Sequence, residues 1–279
     1  MMTTPEPDNA ALAARAILRP EQASRYTVPA LARGLELLGY FTRDQRELTG
    51  AHLVHQTGWP RASVFRMLQT LEQAGFIERC GEGPVYKLSI GVLRLGYEYL
   101  AGQELAQLGQ PILETLRDNS GYSAHLAIRD GCQAVFVAKA AVSSSQFHSI
   151  QVGARLPVHT TALGSVLLGG MELAELKTLY AGQALTRYSA STPATIEALK
   201  TLVEADTQRG YGICQGGFES GVSSIAAPVM GANRQVCAAI NITVLASRIE
   251  ATAVPTLVNH VRQAAQTLSR RMSHLQAGR

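Results

Sequence analysis

Residues 57–71, TGWPRASVFRMLQTL, constrain the fold of this chain more than any other segment. Gly58 favours a turn, and Pro60 suits the first position of a helix, where a missing N–H is tolerated. Apolar residues then follow the i, i+3, i+4, i+7 spacing of one helical face: Val64, Met67, Leu68 and Leu71. The segment therefore predicts a turn that leads into an amphipathic helix.

The opposite face of this predicted helix carries no carboxylate. It is formed by Ala62, Arg66, Gln69 and Gln73. The predicted helix thus has an apolar face that can pack on its own domain and an opposite face that is neutral to basic. This combination suits a helix that enters the major groove of DNA. An ordinary surface helix that begins at a proline has the same pattern, so the neighbouring segments must decide between the two interpretations.

The neighbouring segments favour a DNA-binding helix. Two short helices are predicted before it, over about residues 28–41 and 49–56, which gives helix-turn-helix order. Two short strands are predicted after it, over residues 76–79 and 85–88, and a hairpin in this place is a wing. Arg79 and Lys87 of the hairpin are candidates for phosphate contacts, although a solvated hairpin carries such charges as well.

Composition agrees with this interpretation without requiring it. The chain has 279 residues, of which 46% are hydrophobic and 16% charged, so it is long and apolar enough to bury the cores of two domains. The formal net charge is +4. This excess permits a polyanionic partner but is mild, so the prediction of DNA binding depends on the helix.

The cysteines and the apolar segments indicate a cytoplasmic protein. The four cysteines are scattered, without a Cys-x-x-Cys pair, and predict neither a zinc ribbon nor a disulfide framework. Neither a signal peptide nor an apolar run of about 18 residues is recognisable. We therefore expect a reducing cytoplasm, and a mobile N-terminal arm over residues 1–25.

The second half of the chain alternates between helical and strand-like patterns. Helices are predicted near residues 105–116, 162–168, 196–209 and 254–275, and strands near 122–129, 134–140, 223–229 and 236–244. Helices flanking an antiparallel sheet make an α+β domain. Before it, the apolar stripe over residues 90–100 predicts a helix that connects the domains and pairs with another subunit.

Residues 157–164, PVHTTALG, are the candidate ligand site that follows from the residues themselves. Thr160 or Thr161 can cap a helix, and free amides at a helix start favour a carboxylate. The carboxylate would then lie on the amides of Ala162, Leu163 and Gly164. A capped helix with nothing bound has the same sequence pattern.

Several blocks of the chain resemble IclR-type transcriptional regulators. The N-terminal blocks are residues 30–38, 57–71, 75–77, 86–88 and 93–96, and the C-terminal blocks are residues 152–164, 209–212 and 221–229. The resemblance runs from about residue 29 to about residue 273 in the order and spacing of the family. It implies an N-terminal winged helix-turn-helix domain and a C-terminal α+β, GAF-like sensor domain.

The expected domains are the arm at 1–25, the winged helix-turn-helix at 26–89, the linker helix at 90–102, and the effector-binding and oligomerisation domain at 103–279. The expected partners are a double-stranded DNA operator, a small organic acid, and the chain itself as a homodimer, with a dimer of dimers implied by the family.

The candidate DNA contacts are Arg61, Ser63, Phe65, Arg66, Gln69, Arg33 and Lys87. Phe65 is expected either to meet a thymine methyl or to pack on a neighbouring helix.

The resemblance also implies further walls for the effector site. Together with Thr161, Ala162, Leu163 and Gly164, these are Ser145, His148, Cys214, Ser224, Asn241 and Thr243. The blocks around residues 219–226, 239–241 and 246–248 are similar to the branch that controls protocatechuate, 4-hydroxybenzoate and β-ketoadipate catabolism. We therefore expect an aromatic or dicarboxylic acid. The chain departs from its relatives at two places: Ser224 stands where some relatives have a cysteine, and Gly216-Gly217 stand where many have an acidic pair. These departures argue against assigning the effector of any one relative to this chain.

Two other classes of function remain as alternatives. For an enzyme, the sequence has no Gly-x-Ser-x-Gly elbow, no Gly-x-Gly-x-x-Gly fingerprint and no phosphate loop, so no catalytic residue and no cofactor is expected. His52 and His55 have no evident third ligand nearby, so no metal is expected either. An architectural DNA binder without an effector would leave some 170 residues after the linker without a role.

Overall fold

The computed structural model describes residues 28–42, 45–81, 83–101, 104–142, 150–218, 221–231, 233–245 and 249–277. The chain divides into two compact units between Gly102 and Gln103. The N-terminal arm expected over residues 1–25 lies outside the described residues. No helix of the described part is long and apolar enough to cross a membrane.

The N-terminal unit has the order of a winged helix-turn-helix. Its elements are α1 (Pro29–Gly39), β1 (Glu47–Thr49), α2 (Gly50–Thr57), α3 (Arg61–Gln73), β2 (Ile77–Arg79), β3 (Val85–Leu88) and α4 (Gly91–Ala101). The strands form an antiparallel sheet in the order β1-β3-β2. The predicted helices and wing are confirmed, whereas the sequence pattern did not predict β1.

Local sequence fixes the turn between α2 and α3. Thr49 caps α2 by accepting a hydrogen bond from the backbone N–H of His52, at 3.1 Å. Gly58 ends α2 with a left-handed φ of 69°, which a residue with a side chain rarely adopts. Pro60 lies one residue before α3 and not inside it, which corrects the expectation that it is the first helical residue.

The core of the N-terminal unit is small and apolar. It consists of Leu37, Phe41, Leu48, Leu53, Val64, Leu68, Ile77 and Tyr86. All three helices before the wing contribute to it, together with each strand of the sheet. The predicted apolar face of α3 is therefore the face that holds this helix on its domain.

The C-terminal unit is an α+β domain around one antiparallel sheet. Its elements are α5 (Glu104–Ser120), β4 (Ser123–Asp130), β5 (Gln133–Ala140), β6 (Arg155–Pro157), a 3₁₀ turn (Val158–Thr160), α6 (Ala162–Leu167), α7 (Leu173–Leu179), α8 (Ile196–Arg209), β7 (Gly212–Gln215), β8 (Ser223–Met230), β9 (Val236–Val244) and α9 (Val254–Ala277). The strand order is β6-β5-β4-β9-β8-β7.

Alternation along the central strands separates two cores. On β9, Ala238, Ile240 and Ile242 belong to the cluster that α5 and α9 cover. Ala239 belongs to a second cluster with α6, α7 and α8 on the other face. Side chains in register with Ala239, such as Asn241, therefore face the α6 side of the sheet. The candidate ligand site lies on this side.

Candidate functional site

The polar face of α3 is exposed, as its sequence predicts. Ala62, Arg66 and Gln69 are exposed, whereas Val64 and Leu68 on the opposite face are fully buried. The Nε of the exposed Arg66 donates to the carbonyl of Ala62 at 3.3 Å. The surface therefore offers amide and guanidinium groups, which suit hydrogen bonding to base edges.

The start of α3 is organised around Phe65. This ring packs against Gly50 at the beginning of α2, where an added Cβ would lie 2.9 Å from the ring Cζ atom. The guanidinium of Arg61 lies over the other part of the ring, 5.3 Å from its centroid. Of the two roles expected for Phe65, the structure therefore shows packing on the neighbouring helix. Arg61 is exposed and Ser63 half-buried at the same helix start.

The other candidate DNA contacts flank α3. The guanidinium of Arg33 on α1 lies 5.3 Å from the ring centroid of Trp59. On the wing, Lys87 forms an ion pair with Glu78 at 3.1 Å, and Arg79 pairs with Glu72 at 3.1 Å. The hydrogen bond from Lys87 lowers the pKa of the Glu78 carboxyl. Both wing cations therefore already have acidic partners.

A cavity of about 120 Å³ lies on the α6 side of the sheet in the C-terminal unit. Six residues expected at the effector site line it: Thr161, Leu163, Cys214, Ser224, Asn241 and Thr243. Ala162 and Gly164 are buried in α6 but do not line it. Ser145 and His148 lie outside the described residues. The structure thus brings together parts of α6, β7, β8 and β9 that are far apart in sequence.

The start of α6 differs from the expectation of three free amides. Thr161 caps the helix, as predicted, and its Oγ1 accepts from the backbone N–H of Gly164 at 3.0 Å. The amide of Gly164 is therefore already bonded inside the protein. Those of Ala162 and Leu163 remain candidates for a ligand. This correction follows from the cap itself, because a side-chain cap satisfies one of the amides that a helix start exposes.

The remaining lining residues were not named as effector contacts, although Thr160 belongs to the candidate segment at residues 157–164. They are Phe136, Ile150, Leu156, Thr160, Gly217, Phe218, Val222 and Leu245. Most are apolar, and among the described lining residues none carries a charge. Tyr188 packs on Phe218 with ring centroids 4.8 Å apart, and Thr192 Oγ1 donates to the carbonyl of Gly217 at 2.9 Å. The segment that precedes α8 therefore supports one wall of the cavity.

His125 is a buried histidine beside the cavity that the sequence analysis missed. It lies on β4 directly opposite Asn241 on β9, and its ring meets Phe136 edge-on with centroids 5.6 Å apart. His125 is 2% exposed and Asn241 3% exposed. Both ring nitrogens of His125 and the Oδ1 of Asn241 fall short of strict hydrogen-bond geometry in the described structure, but the two facing side chains interact with each other through a hydrogen bond.

Burial keeps the His125 imidazole neutral. It lowers the pKa of the ring to about 4, assisted by the nearby charge of Lys139 and opposed by the side chain of Asn241. A neutral imidazole has one N–H donor and one acceptor nitrogen. The floor of the cavity therefore presents donor and acceptor groups without a charge.

Metal ligands do not cluster in the described part of the chain, where no three His, Cys, Asp or Glu side chains are placed to hold an ion. His52 and His55 are both exposed on α2. The cysteines in the described residues are free thiols. Burial raises the pKa of the Cys214 thiol, which donates to the carbonyl of Thr160.

Comparison with known proteins gives two family matches. Residues 30–81 match the IclR helix-turn-helix domain, and residues 97–270 match the bacterial transcriptional regulator IclR C-terminal domain. The first match contains α2 and α3. The second contains the whole sheet of the C-terminal unit and the cavity.

Individual relatives cover most of the chain. The Pca regulon regulatory protein of Pseudomonas putida is 33% identical over 221 residues, which are 78% of this chain and 75% of the relative. A putative transcriptional regulator from Rhodococcus sp. RHA1 is 30% identical, with a TM-score of 0.76 over 89% of this chain and 100% of the other. An IclR homolog complexed with 4-hydroxybenzoate from Microbacterium hydrocarbonoxydans is 23% identical, with a TM-score of 0.73 over 87% of this chain and 98% of the other.

These matches agree with the geometry of both units, since a helix-turn-helix with an exposed polar α3 precedes an α+β domain that contains a cavity. The chain belongs to the IclR family of transcriptional regulators.

Proposed function

We propose that this regulator senses a small aromatic or dicarboxylic acid and controls a catabolic operon in response. The observation that carries the proposal is the largely apolar cavity, whose polar groups converge from α6, β8 and β9. Small-molecule sites are concave and mostly apolar, with a few placed polar groups. The similarity to the Pca regulon regulatory protein of Pseudomonas putida supports the same role.

On the DNA side, we propose that α3 reads the operator. Arg66 and Gln69 are assigned to base edges because they lie on the exposed face of the helix. Arg61 and Ser63, at the helix start, are assigned to phosphates. Arg33 and Lys87 are assigned to the phosphate backbone of the flanking DNA, and Phe65 holds the start of α3 against α2.

Replacing Arg66 by alanine should weaken specific operator binding by about 1–3 kcal/mol, because a guanidinium that reads a base edge contributes energy of this size. The fold should be kept, since this side chain is exposed. Operator titrations by fluorescence anisotropy measure the effect, and Arg129→Ala, an exposed arginine of the other unit, is the control. Unchanged affinity in a folded Arg66→Ala protein would remove α3 from the interface.

We further propose that the chain acts as a homodimer or a dimer of dimers. One winged helix covers too few base pairs to find a single operator in a genome. The segment at the start of α4 offers an apolar surface, with Ile90, Leu93 and Leu95 exposed by 77%, 64% and 58%. Light scattering should give a dimer or tetramer, and a monomer that still binds its operator tightly would contradict this.

On the effector side, we propose that the acid lies between α6 and the strands β8 and β9. The carboxylate is assigned to Thr161 and to the amide of Leu163, which both line the cavity, while Ser224, Asn241 and Thr243 fix the orientation of the ligand. Cys214 contributes a wall, and the family resemblance adds Ser145 and His148. At 23% identity, the similarity to the Microbacterium relative supports the fold alone. Its ligand, 4-hydroxybenzoate, is used here as a test compound for binding.

Replacing Asn241 by alanine should weaken binding of the effector by roughly tenfold while leaving operator affinity without effector nearly intact. A hydrogen bond to a ligand contributes about 0.5–1.5 kcal/mol when neutral, and 1.4 kcal/mol is a factor of about ten. Calorimetry on the full chain measures the loss, with Asn233→Ala, an exposed asparagine before β9, as the control. The reverse pattern, with DNA binding lost and ligand binding kept, would place the ligand elsewhere.

A further inference from the structure

We propose that the C-terminal unit has a second ligand site, which binds the phosphate group of a small organic phosphate in an open cleft between α9 and β8. This α9 cleft has a volume of about 420 Å³, within the range of about 300–1,000 Å³ that is typical of small-molecule sites. Its residues Ala227 and Ala265 belong to the core that α5 and α9 cover. The cleft therefore lies on the opposite face of the sheet from the effector cavity, and this site does not depend on the proposed function.

A positively charged flank of α9 forms one wall of the α9 cleft. Arg262, Gln266 and Arg270 line it at intervals of four residues, so they lie on the same side of the helix. The Cα atoms of the two arginines are about 12 Å apart along the helix axis. All three residues are exposed, and the sequence of α9 contains neither Asp nor Glu. The helix therefore supplies cations to the cleft and no carboxylate that would neutralise them.

Neither arginine has an acidic partner in the described part of the chain. Arg270 donates one hydrogen bond, to Thr267 Oγ1 on its own helix, at 3.4 Å. Arg262 forms neither a hydrogen bond nor an ion pair with a described residue. The described residues that line the cleft include no Asp or Glu. Since a guanidinium has five N–H donors in a fixed geometry, this wall offers most of its donors to a bound acceptor.

The end of α8 accounts for the position of Arg262 but not for that of Arg270. A Cβ added at Gly210, the C-cap of α8, would lie 3.7 Å from a terminal nitrogen of Arg262. The negative end of the α8 dipole attracts a cation at this place. This attraction does not extend to Arg270, about two turns further along α9. Arg270 is therefore the sharper test for a ligand.

The other walls of the α9 cleft are mainly apolar, with Ala227, Pro228 and Met230 from β8. Ser269 is polar, but its hydroxyl is used by the protein. It donates to the carbonyl of Ala265 at 2.7 Å and accepts from the backbone N–H of Met230 at 2.9 Å. A ligand therefore needs an acidic group for the arginines and an apolar part for the β8 residues.

A phosphate monoester meets both requirements with a single acidic group. It carries a charge of about −1.5 to −2 at pH 7 and has three acceptor oxygens, so one group can pair with both guanidiniums. Its organic part is then left to lie on the apolar residues of β8. A monocarboxylate has one charge and leaves one arginine without a partner. A dicarboxylate pairs with both arginines only by using both of its ends, which holds its carbon chain between them.

The test is calorimetry on the full chain at low ionic strength, where the pairing of exposed charges is least screened. The probes are butyl phosphate, inorganic phosphate and succinate. We expect butyl phosphate to bind about tenfold more tightly than inorganic phosphate, because its carbon chain covers apolar surface. Succinate should bind at least about threefold more weakly than butyl phosphate, because both of its ends are charged and neither can lie on that surface.

Arg262→Ala and Arg270→Ala should each weaken the binding of butyl phosphate by about tenfold or more, since hydrogen bonds to a charged group are lost. The matched control is Arg271→Ala, which removes the same charge from the neighbouring exposed position of α9 but not from the lining of the cleft. It should change the affinity by less than about threefold. Gln266→Glu places a carboxylate between the two arginines and should abolish binding, while its exposed position preserves the fold.

Wild-type affinity in both Arg262→Ala and Arg270→Ala would place the phosphate elsewhere on the chain and overturn the proposal. Absence of butyl phosphate binding, or succinate binding as tightly as butyl phosphate, would overturn it as well. Butyl phosphate should still bind to protein saturated with 4-hydroxybenzoate, and strict competition between the two would mean that there is no second site. If butyl phosphate binds and 4-hydroxybenzoate does not, the proposed aromatic-acid function fails while the α9 cleft stands.

Discussion

Replacing Gly164 by alanine should destabilise the C-terminal unit by about 3 kcal/mol or more, as expected for severe overpacking against backbone. A Cβ at this position would lie 1.9 Å from the carbonyl oxygen of Val158 and 2.3 Å from its Cα. These are backbone atoms of the 3₁₀ turn that leads into α6, so they cannot rotate away as a side chain does. Chemical unfolding followed by circular dichroism measures the loss.

Gly34→Ala is the matched control for this experiment. Gly34 is also inside a helix, α1, but nothing lies within 4 Å of the position of its Cβ. Alanine there should leave stability unchanged or raise it by up to about 1 kcal/mol, because glycine is a poor helix former. If Gly164→Ala is as stable as the wild type, residues 158–164 do not pack as the structure shows.

This steric requirement changes how Gly164 should be interpreted. The sequence analysis placed its amide at the effector, yet this amide is bonded to Thr161 and the residue does not line the cavity. The close approach of α6 to the 3₁₀ turn is a sufficient reason for glycine here. Gly164 therefore allows α6 to pack on the 3₁₀ turn beside the cavity.

The N-terminal unit could be predicted almost completely from its sequence, because its helices have a clear apolar periodicity and recognisable caps. The exception is β1, which is only three residues long. It exists because Leu48 pairs opposite Tyr86 on β3, a contact between distant residues that no local pattern reveals. For the same reason β6 and β7, of three and four residues, were missed in the C-terminal unit.

The surroundings of the cavity could be predicted only in part. The resemblance of sequence motifs predicted that the start of α6 and the polar residues of β8 and β9 lie at the cavity. It did not predict His125 and Phe136. The alternation of side chains along β4 predicts on which face of the sheet His125 lies, but not which side chains lie next to it. Its neighbours follow from the register of β4 with β5 and β9, including a shift of register between Leu126 and Ala127. A single histidine in an apolar strand is not distinctive until this register is known.

Lowering the pH from 6.5 to 4 should destabilise the C-terminal unit by about 3 kcal/mol through His125 alone. In the unfolded chain this imidazole has its ordinary pKa of 6.5, whereas burial in the folded chain lowers the pKa to about 4. Between these two values the unfolded state binds a proton that the folded state does not. Acid therefore favours unfolding over this range, and above pH 6.5 the group has no effect because both states are neutral.

Urea unfolding at pH 7, 6, 5 and 4, compared between the wild type and His125→Phe, isolates this contribution. Other groups titrate in the same range. Burial lowers the pKa of His159, which acts in the same direction, and raises the pKa of Asp206, which acts in the opposite direction. Both are present in both proteins, so they cancel in the difference. The stability of the variant relative to the wild type should rise by about 3 kcal/mol between pH 7 and pH 4.

Parallel pH profiles would mean that His125 charges as easily in the folded protein as in the unfolded chain. The polar group beside the cavity floor would then be able to carry a charge.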